Sequence, residues 1–289
     1  MSKKQKTICL LLLTLFCFAF ADGQGKNDKQ TTQVPTLKRI TTKTETKSLS
    51  YGGSLIILGA PNSSVTIEGW NKSQVEVTAD MEIQANTEDD LTKLAAVNGF
   101  IVDEDFNTLK VLTVGTHDKA YMKRYAKNFP KQLLGSPWKI DYRIKVPTIC
   151  DMDINIGKGA IFLKGVEGAI TISAAESDAN LTLTGGYVRT TIGRGTVNIN
   201  ITSRSWRGTG AITQLGAGEM NLTLPVGFNA YIAADVLRTG KIENNYPTLK
   251  PKQFTTASGK SIEGVAGTGG TNLKFVVGDG TLRIRSTEQ

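Results

Sequence analysis

Cysteine is almost missing from this chain: three residues in 289, two of them, Cys9 and Cys17, within the first twenty. If that first segment is removed, Cys150 is left alone and no intramolecular disulfide can form, so stability must come from burial and backbone hydrogen bonding. Histidine is scarcer still, with His117 as the single example, and no C-x-x-C pair occurs. The usual zinc donor sets are thereby excluded. Proline is also sparse, 8 residues against 30 glycines, which points to repeated tight turns rather than a low-complexity linker. No apolar run reaches the roughly 20 residues that a membrane-spanning helix needs.

What is present fits an ordinary folded chain. Hydrophobic residues make up 39% and charged residues 21%, which excludes disorder as the main state and a multi-span membrane protein. The length suits one large all-β or repeat domain, or two small domains.

The beginning reads as an export signal. Lys3, Lys4 and Lys6 precede an apolar run from Ile8 to Phe20, and Ala19-Phe20-Ala21 places small residues where signal peptidase reads, with Asp22 following. Cleavage after Ala21 is expected, and the bulky Phe16 before Cys17 argues against a lipid-modified cysteine. Losing the three lysines lowers the net charge from +8 to +5. That excess favours solubility and weak contact with anionic surfaces, and no nucleic-acid partner is expected from it.

Residues 22–50 form a Lys/Thr-rich stretch with little apolar periodicity, and a flexible arm is predicted there. Strands are predicted at Leu55–Leu58, Ser64–Gly69 and Gln74–Ile83, the last alternating apolar residues at period two. Thr87 and Asp90 resemble a capping box that opens a short helix from Glu88 to Val97, with Gly99 as its stop. Phe100–Val102 and Leu109–Val114 then suggest a strand pair around an acidic turn, Asp103-Glu104-Asp105.

After Trp138 one unit recurs, apolar-G-x-G-x-apolar-x-apolar. It is carried by Gly157 and Gly159, Gly193 and Gly195, Gly216 and Gly218, and Gly278 and Gly280. Apolar strand centres fall at 161, 181, 197, 220, 242 and 282, close to the steps that a coil of stacked strands requires. The paired glycines are read as structural turn residues at the corners of successive coils. The expected fold is therefore all-β: a mainly parallel β-solenoid (β-helix) with a small N-terminal strand and helix cap, and a β-sandwich as the alternative. Tyr246–Thr271 is expected to be a protruding loop.

Several pieces occur in a suggestive order: Ile67-Glu68-Gly69-Trp70, Val75-Glu76-Val77, Tyr142-Arg143-Ile144-Lys145-Val146-Pro147, the G-x-G units, Leu224-Pro225, and Gly267-Thr268-Gly269-Gly270 before the last repeat. From Gly52 to Arg285 the chain resembles the bacterial adhesin-type domains, a family of unknown function with β-helical Gly-x-Gly repeats. The resemblance implies an exported, envelope-associated β-solenoid with no established enzyme activity and no cofactor. The chain departs from the pattern twice. The Ser173–Asp178 coil lacks its glycine pair, and residues 115–138 form an unusually basic insert.

Motifs that could carry catalysis fail on their context. Ser136-Pro137-Trp138-Lys139 matches an S-x-x-K string, but Pro137 lies in a Gly-Ser-Pro turn rather than opening the helix that chemistry needs. Gly259-Lys260-Ser261 lacks the earlier glycine of a phosphate-binding loop. The G-x-G pairs lack the third glycine and the acidic residue of a dinucleotide site. Asp103, Glu104 and Asp105 alternate in direction and have no calcium-loop spacing, so no metal site is assigned. His117 beside Asp118 has no nucleophile near it in sequence, and Cys150 reads as a small buried hydrophobe.

The insert is the most distinctive functional feature. Lys119, Lys123, Arg124, Lys127 and Lys131 are interleaved with Tyr121, Tyr125 and Phe129 and no carboxylate. Cations beside aromatics suit an anionic polymer or headgroup surface, and Lys119, Tyr121, Lys123, Arg124, Tyr125, Lys127 and Lys131 are the candidate anionic-surface residues. Arg204, Trp206 and Arg207 are candidate stacking residues for a sugar or base.

The expected organisation is a signal peptide (1–21), the arm (22–50) and one adhesin-like β-solenoid domain (51–289) with the basic insert 115–138. The expected function is that of a non-enzymatic, exported, adhesin-like envelope protein, periplasmic or at the cell surface. Its partner would be an envelope protein or polysaccharide, and no transmembrane span would remain after cleavage. The alternatives are a carbohydrate-active β-helix enzyme, a lyase or hydrolase, and a scaffold that self-associates through uncapped coils.

Overall fold

The computed structural model describes residues 37–59, 61–247, 249–251 and 259–287; the expected signal peptide and the first part of the expected arm lie outside them. The first half contains β1 (Leu37–Ser48), β2 (Ser54–Leu58), β3 (Ser63–Trp70), β4 (Gln74–Ala85), helix α1 (Glu88–Val97), β5 (Gly99–Asp105), β6 (Thr108–Val114), helix α2 (Lys119–Tyr125) and β7 (Trp138–Pro147). The second half contains β8 (Asp151–Lys158), β9 (Ile161–Lys164), β10 (Ala169–Glu176), β11 (Ala179–Leu183), β12 (Gly185–Ile201), β13 (Arg207–Leu224), β14 (Ala230–Val236), β15 (Gly240–Asn245), β16 (Lys250–Pro251), β17 (Ser261–Ala266) and β18 (Asn272–Ser286).

All 18 strands among the described residues belong to one hydrogen-bonded sheet. The sheet is mixed and nearly closes into a barrel, so the chain is all-β but forms neither the expected mainly parallel β-solenoid nor the alternative β-sandwich. Two observations overturn the solenoid. Antiparallel pairs, β1–β4, β4–β7, β5–β6, β14–β17 and β16–β17, flank the parallel ladders. In addition, β12, β13 and β18 run unbroken across their Gly-x-Gly units, so the glycines bend one continuous sheet instead of separating coils.

Within the repeats the register aligns like with like. Ile154, Ile172, Thr190, Thr213 and Phe275 are partners on successive strands, as are Leu163, Leu181, Ile199, Leu222 and Ile284. Every one of these side chains is buried. A period-two strand sends alternate residues to one face, and parallel pairing in register stacks those residues into buried, mostly apolar columns. On the outer face Asn180, Asn198 and Asn221 form a ladder, in which Asn198 Nδ2 donates to Asn180 Oδ1 and Asn221 Nδ2 to Asn198 Oδ1, both at 2.9 Å.

The two glycines of each pair do different work. The second has a left-handed φ, +140° at Gly159, +136° at Gly195 and Gly218, and +142° at Gly280, where a β-carbon is strained. The first has no such φ. At Gly193 a β-carbon would lie 2.5 Å from the Ala175 carbonyl oxygen on the neighbouring strand, and Gly157, Gly216 and Gly278 face similar backbone crowding. Ser177 stands in the place of the second glycine, in the short gap between β10 and β11, and the strand is interrupted in the same way at Gly159 between β8 and β9.

Helix α1 spans the predicted residues, and the Asp90 amide donates to Thr87 Oγ1 at 3.1 Å. Leu91 and Leu94 pack into a satellite cluster with Met81, Ile83, Ala85 and Leu133. Two expectations fail nearby. The flexible arm contains β1, which pairs along its whole length with β4. The acidic residues Asp103, Glu104 and Asp105 belong to β5, and the turn falls at Phe106 and Asn107. Likewise, Ser261–Ala266 within the expected protruding loop is strand β17.

Candidate functional site

Strand β6 delivers the chain to the insert at Val114. The buried Asn98, just past α1, fixes that point: its Nδ2 donates to the Leu94 carbonyl at 3.0 Å and its Oδ1 accepts from the Thr116 amide at 2.9 Å. Asp118 then caps α2, its Oδ1 accepting from the amides of Ala120 and Tyr121 at 2.9 and 3.0 Å. Met122 turns inward and is buried, and Leu133 anchors the end of the insert in the satellite cluster. With both ends pinned, α2 presents its remaining faces outward.

Lys119, Lys123, Arg124, Lys127 and Lys131 are all exposed, and none of them has an ion pair among the described residues. The rings of Tyr121 and Tyr125 stand 5.1 Å apart, and the Arg124 guanidinium lies 5.2 Å from the Tyr125 ring centre. Tyr125 itself is 65% exposed. Of the seven candidate anionic-surface residues, five lie on α2, Lys127 lies in the turn after it, and Lys131 opens a separate 3-10 helix, Lys131–Leu133. Elsewhere on the sheet, cations mostly meet carboxylates: Arg283 bridges Glu219 and Glu243 at 2.7 and 2.9 Å, and Arg143 meets Asp80 at 2.6 Å.

Beside α2 runs an open groove of about 810 Å³. Its floor is an apolar row across three strands, in which Leu58 of β2 pairs with Leu112 of β6 and Leu112 pairs with Ile101 of β5. Leu58 and Ile101 are 45% and 46% exposed although both are aliphatic. Lys119, Tyr121, Arg124 and Tyr125 form the helical wall. A second cavity of about 420 Å³ shares Ile101, Val114 and Tyr121 with the groove and reaches Lys43, whose ammonium donates to the Phe100 carbonyl at 3.3 Å.

His117 lines the same groove. Its ring packs 5.3 Å from that of Trp138, and its Nδ1 is buried without a partner among the described residues. Burial lowers its pKa, an effect partly opposed by the negative charge of Asp118. A neutral imidazole with one enclosed nitrogen suits packing more than proton transfer.

The other sequence candidates fall elsewhere. Trp206 is buried, and its indole nitrogen donates to the Gly186 carbonyl at 3.0 Å. Arg207 pairs with Glu167, so the expected Arg204, Trp206 and Arg207 stacking site offers no free indole face. Cys150 is buried, and desolvation pushes its thiol up to about 12. Of the eight repeat glycines, the first of each pair crowds a neighbouring backbone and the second has a left-handed φ. No group of three or more His, Cys, Asp or Glu side chains that could hold a metal occurs among the described residues.

The groove floor was missed in the sequence. Its signal was available: Phe100-Ile101-Val102 and Val111-Leu112 are continuous apolar runs where a half-exposed strand should alternate. Trp70 carries a second missed feature, with the ammonium groups of Lys72 and Lys145 lying 4.4 and 5.4 Å from its ring centre.

No protein-family profile matches the chain, and no curated protein matches it. Its structure is similar to several crystal structures of bacterial proteins, of which three follow. A candidate cell adhesion protein from Clostridium sporogenes is 12% identical, with a TM-score of 0.44, over 86% of this chain and 100% of that one. A candidate adhesin from Parabacteroides distasonis is 12% identical at a TM-score of 0.31, over 85% of this chain and 97% of that one. One from Bacteroides fragilis is 14% identical at 0.26, with the same coverage of 85% and 97%. At such identities and scores, site residues can be read only from this chain.

Proposed function

We propose that this chain is a non-enzymatic, adhesin-like protein of the bacterial envelope, exported by a signal peptide cleaved after Ala21, that holds an anionic envelope partner on the α2 face. The observation that carries this reading is the cluster of five exposed cations without ion pairs among the described residues, set beside an exposed tyrosine. Like charges held together repel one another and cost stability unless an anion joins them. A ligand that neutralises them gains charge-assisted hydrogen bonds, while Tyr125 supplies a flat amphipathic contact. The stiff sheet behind α2, locked by in-register ladders, keeps that face preorganised. No helix among the described residues is long and apolar enough to cross a membrane.

The test uses an anionic polysaccharide, polygalacturonate, and neutral dextran as immobilised probes. The full chain should bind the first, with affinity falling steeply as salt rises. Lys123→Glu combined with Arg124→Glu should abolish that binding and leave the melting temperature unchanged. Equal retention on both probes, or a charge-reversed variant that binds as the parent does, would reject the α2 face as the contact surface.

A further inference from the structure

A groove of about 810 Å³ lies within the roughly 300–1,000 Å³ span of small-molecule sites, and mostly apolar walls with a few placed polar groups are what such sites share. Its floor, Leu58, Leu112 and Ile101, is aligned across three neighbouring strands and follows the direction of strand pairing. Two of those three aliphatic side chains are nearly half exposed, an arrangement that leaves oily surface in water. At one wall stand Lys119 and Arg124, neither with an ion pair among the described residues. Asp118 also lines the groove, but its Oδ1 is occupied by the two α2 amides. With Lys119 and Arg124 against Asp118, the groove offers a ligand a formal net charge of +1 at the helix and none along the floor.

We infer that this groove binds a monomeric, single-chain anionic amphiphile, with the alkyl chain on the Leu58–Leu112–Ile101 row and the headgroup at Lys119 and Arg124. The inference rests on the proposed anionic contact at α2 and specifies the ligand class for the groove beside it. Charge complementarity selects the sign of the headgroup. The linear apolar row selects an extended chain over a compact ring. The carboxylate or phosphate would replace water around two cations, and burying the chain would remove the exposed aliphatic surface of the floor.

Palmitate, kept below its aggregation threshold, is the probe, with hexadecyltrimethylammonium as the partner of opposite charge. Native mass spectrometry and titration calorimetry of the full chain should show one palmitate per chain and no comparable uptake of the cationic amphiphile. Lys119→Glu with Arg124→Glu should weaken palmitate at least about tenfold. Ile101→Ser, at a position 46% exposed and so compatible with folding, should weaken it as well, while Phe106→Ala, at a fully exposed hairpin tip, should leave it unchanged. The inference fails if palmitate does not bind, if both amphiphiles bind equally, or if the groove variants bind as the parent does. It also fails if only phosphatidylglycerol vesicles are bound. Should polygalacturonate still bind through Lys123 and Arg124 while palmitate fails, the groove assignment falls and the α2 surface stands; should neither bind, both fall.

Discussion

At the second position of each repeat pair, glycine answers two constraints at once. Gly218 has φ of +136°, and a β-carbon there would be driven into the Gly195 carbonyl on the neighbouring strand. Gly218→Ala should therefore destabilise the protein by about 1–3 kcal/mol, the usual cost of a side chain in a disallowed backbone region. Gly135→Ala is the matched control, because a β-carbon at Gly135 meets nothing within 4 Å and its φ is not positive. Denaturant titration of both should lower the midpoint only for Gly218→Ala, and equal midpoints would show that the sheet relaxes around the added methyl. The importance of the pairs was legible because their spacing repeats. The division of labour was not: the first glycine is required by the approach of a neighbouring strand, a contact that no single segment displays.

Among the elements, legibility followed the number of local signals. Helix α1 has a capping threonine, acidic residues in its first turn and one apolar face, all within a dozen residues. Strand β1 has none of these. None of its twelve residues is buried, so there is no period-two pattern to find. What orders it is a distant partner: Lys38 meets Glu82 at 2.8 Å, Thr42 donates to Asp80 at 2.7 Å, and Thr44 and Thr78 share a hydrogen bond of 3.1 Å. Its lysines then discourage further pairing at the exposed edge. For the groove of the candidate site the unbroken apolar runs at Phe100-Ile101-Val102 and Val111-Leu112 were visible in the sequence, but their assembly was not, since Leu58, Leu112 and Ile101 meet only after three strands align. For α1 the caps give a measurable expectation. Thr87→Ala removes the acceptor for the Asp90 amide and should cost about 1 kcal/mol, with faster hydrogen exchange in the first turn of α1 and none of that change in β12. Unchanged exchange at Asp90 and Leu91 would mean that packing of Leu91 and Leu94 alone holds the helix.

Across the whole molecule, the parallel ladders follow from the repeats, but near-closure depends on antiparallel strands recruited from far along the chain, and those are joined on their outer faces by charge. Asp80 of β4 accepts from Arg143 of β7 and from Thr42 of β1, and the Arg143 hydrogen bond is the main reason its pKa is lowered. Glu82 is lowered chiefly by Lys38, with Gln84 and Lys139 assisting. At the other end, Asp279 is lowered by Arg238, and Glu243 first by Lys241 and then by Arg283. A carboxyl group whose folded pKa lies below its unfolded one stabilises the fold fully above the unfolded value, near pH 4, and that contribution disappears as pH falls through the folded value. His117 acts in the same direction at a higher pH: burial disfavours its charged form, so the unfolded chain takes up the proton first and stability declines as pH falls through the ordinary histidine range. The melting temperature should therefore be level between about pH 7 and pH 8, fall a little toward pH 5, then more steeply below about pH 4. Replacing His117 with Phe should remove only the upper step, and Asp80→Asn with Glu82→Gln should reduce only the lower one. These carboxylates are partly exposed on the outer face, so added salt should reduce the lower step by screening. A parent curve without the acid limb, or one whose limb survives both carboxyl replacements unchanged, would mean that the outer ion pairs do not help to hold β1 and β7 against β4.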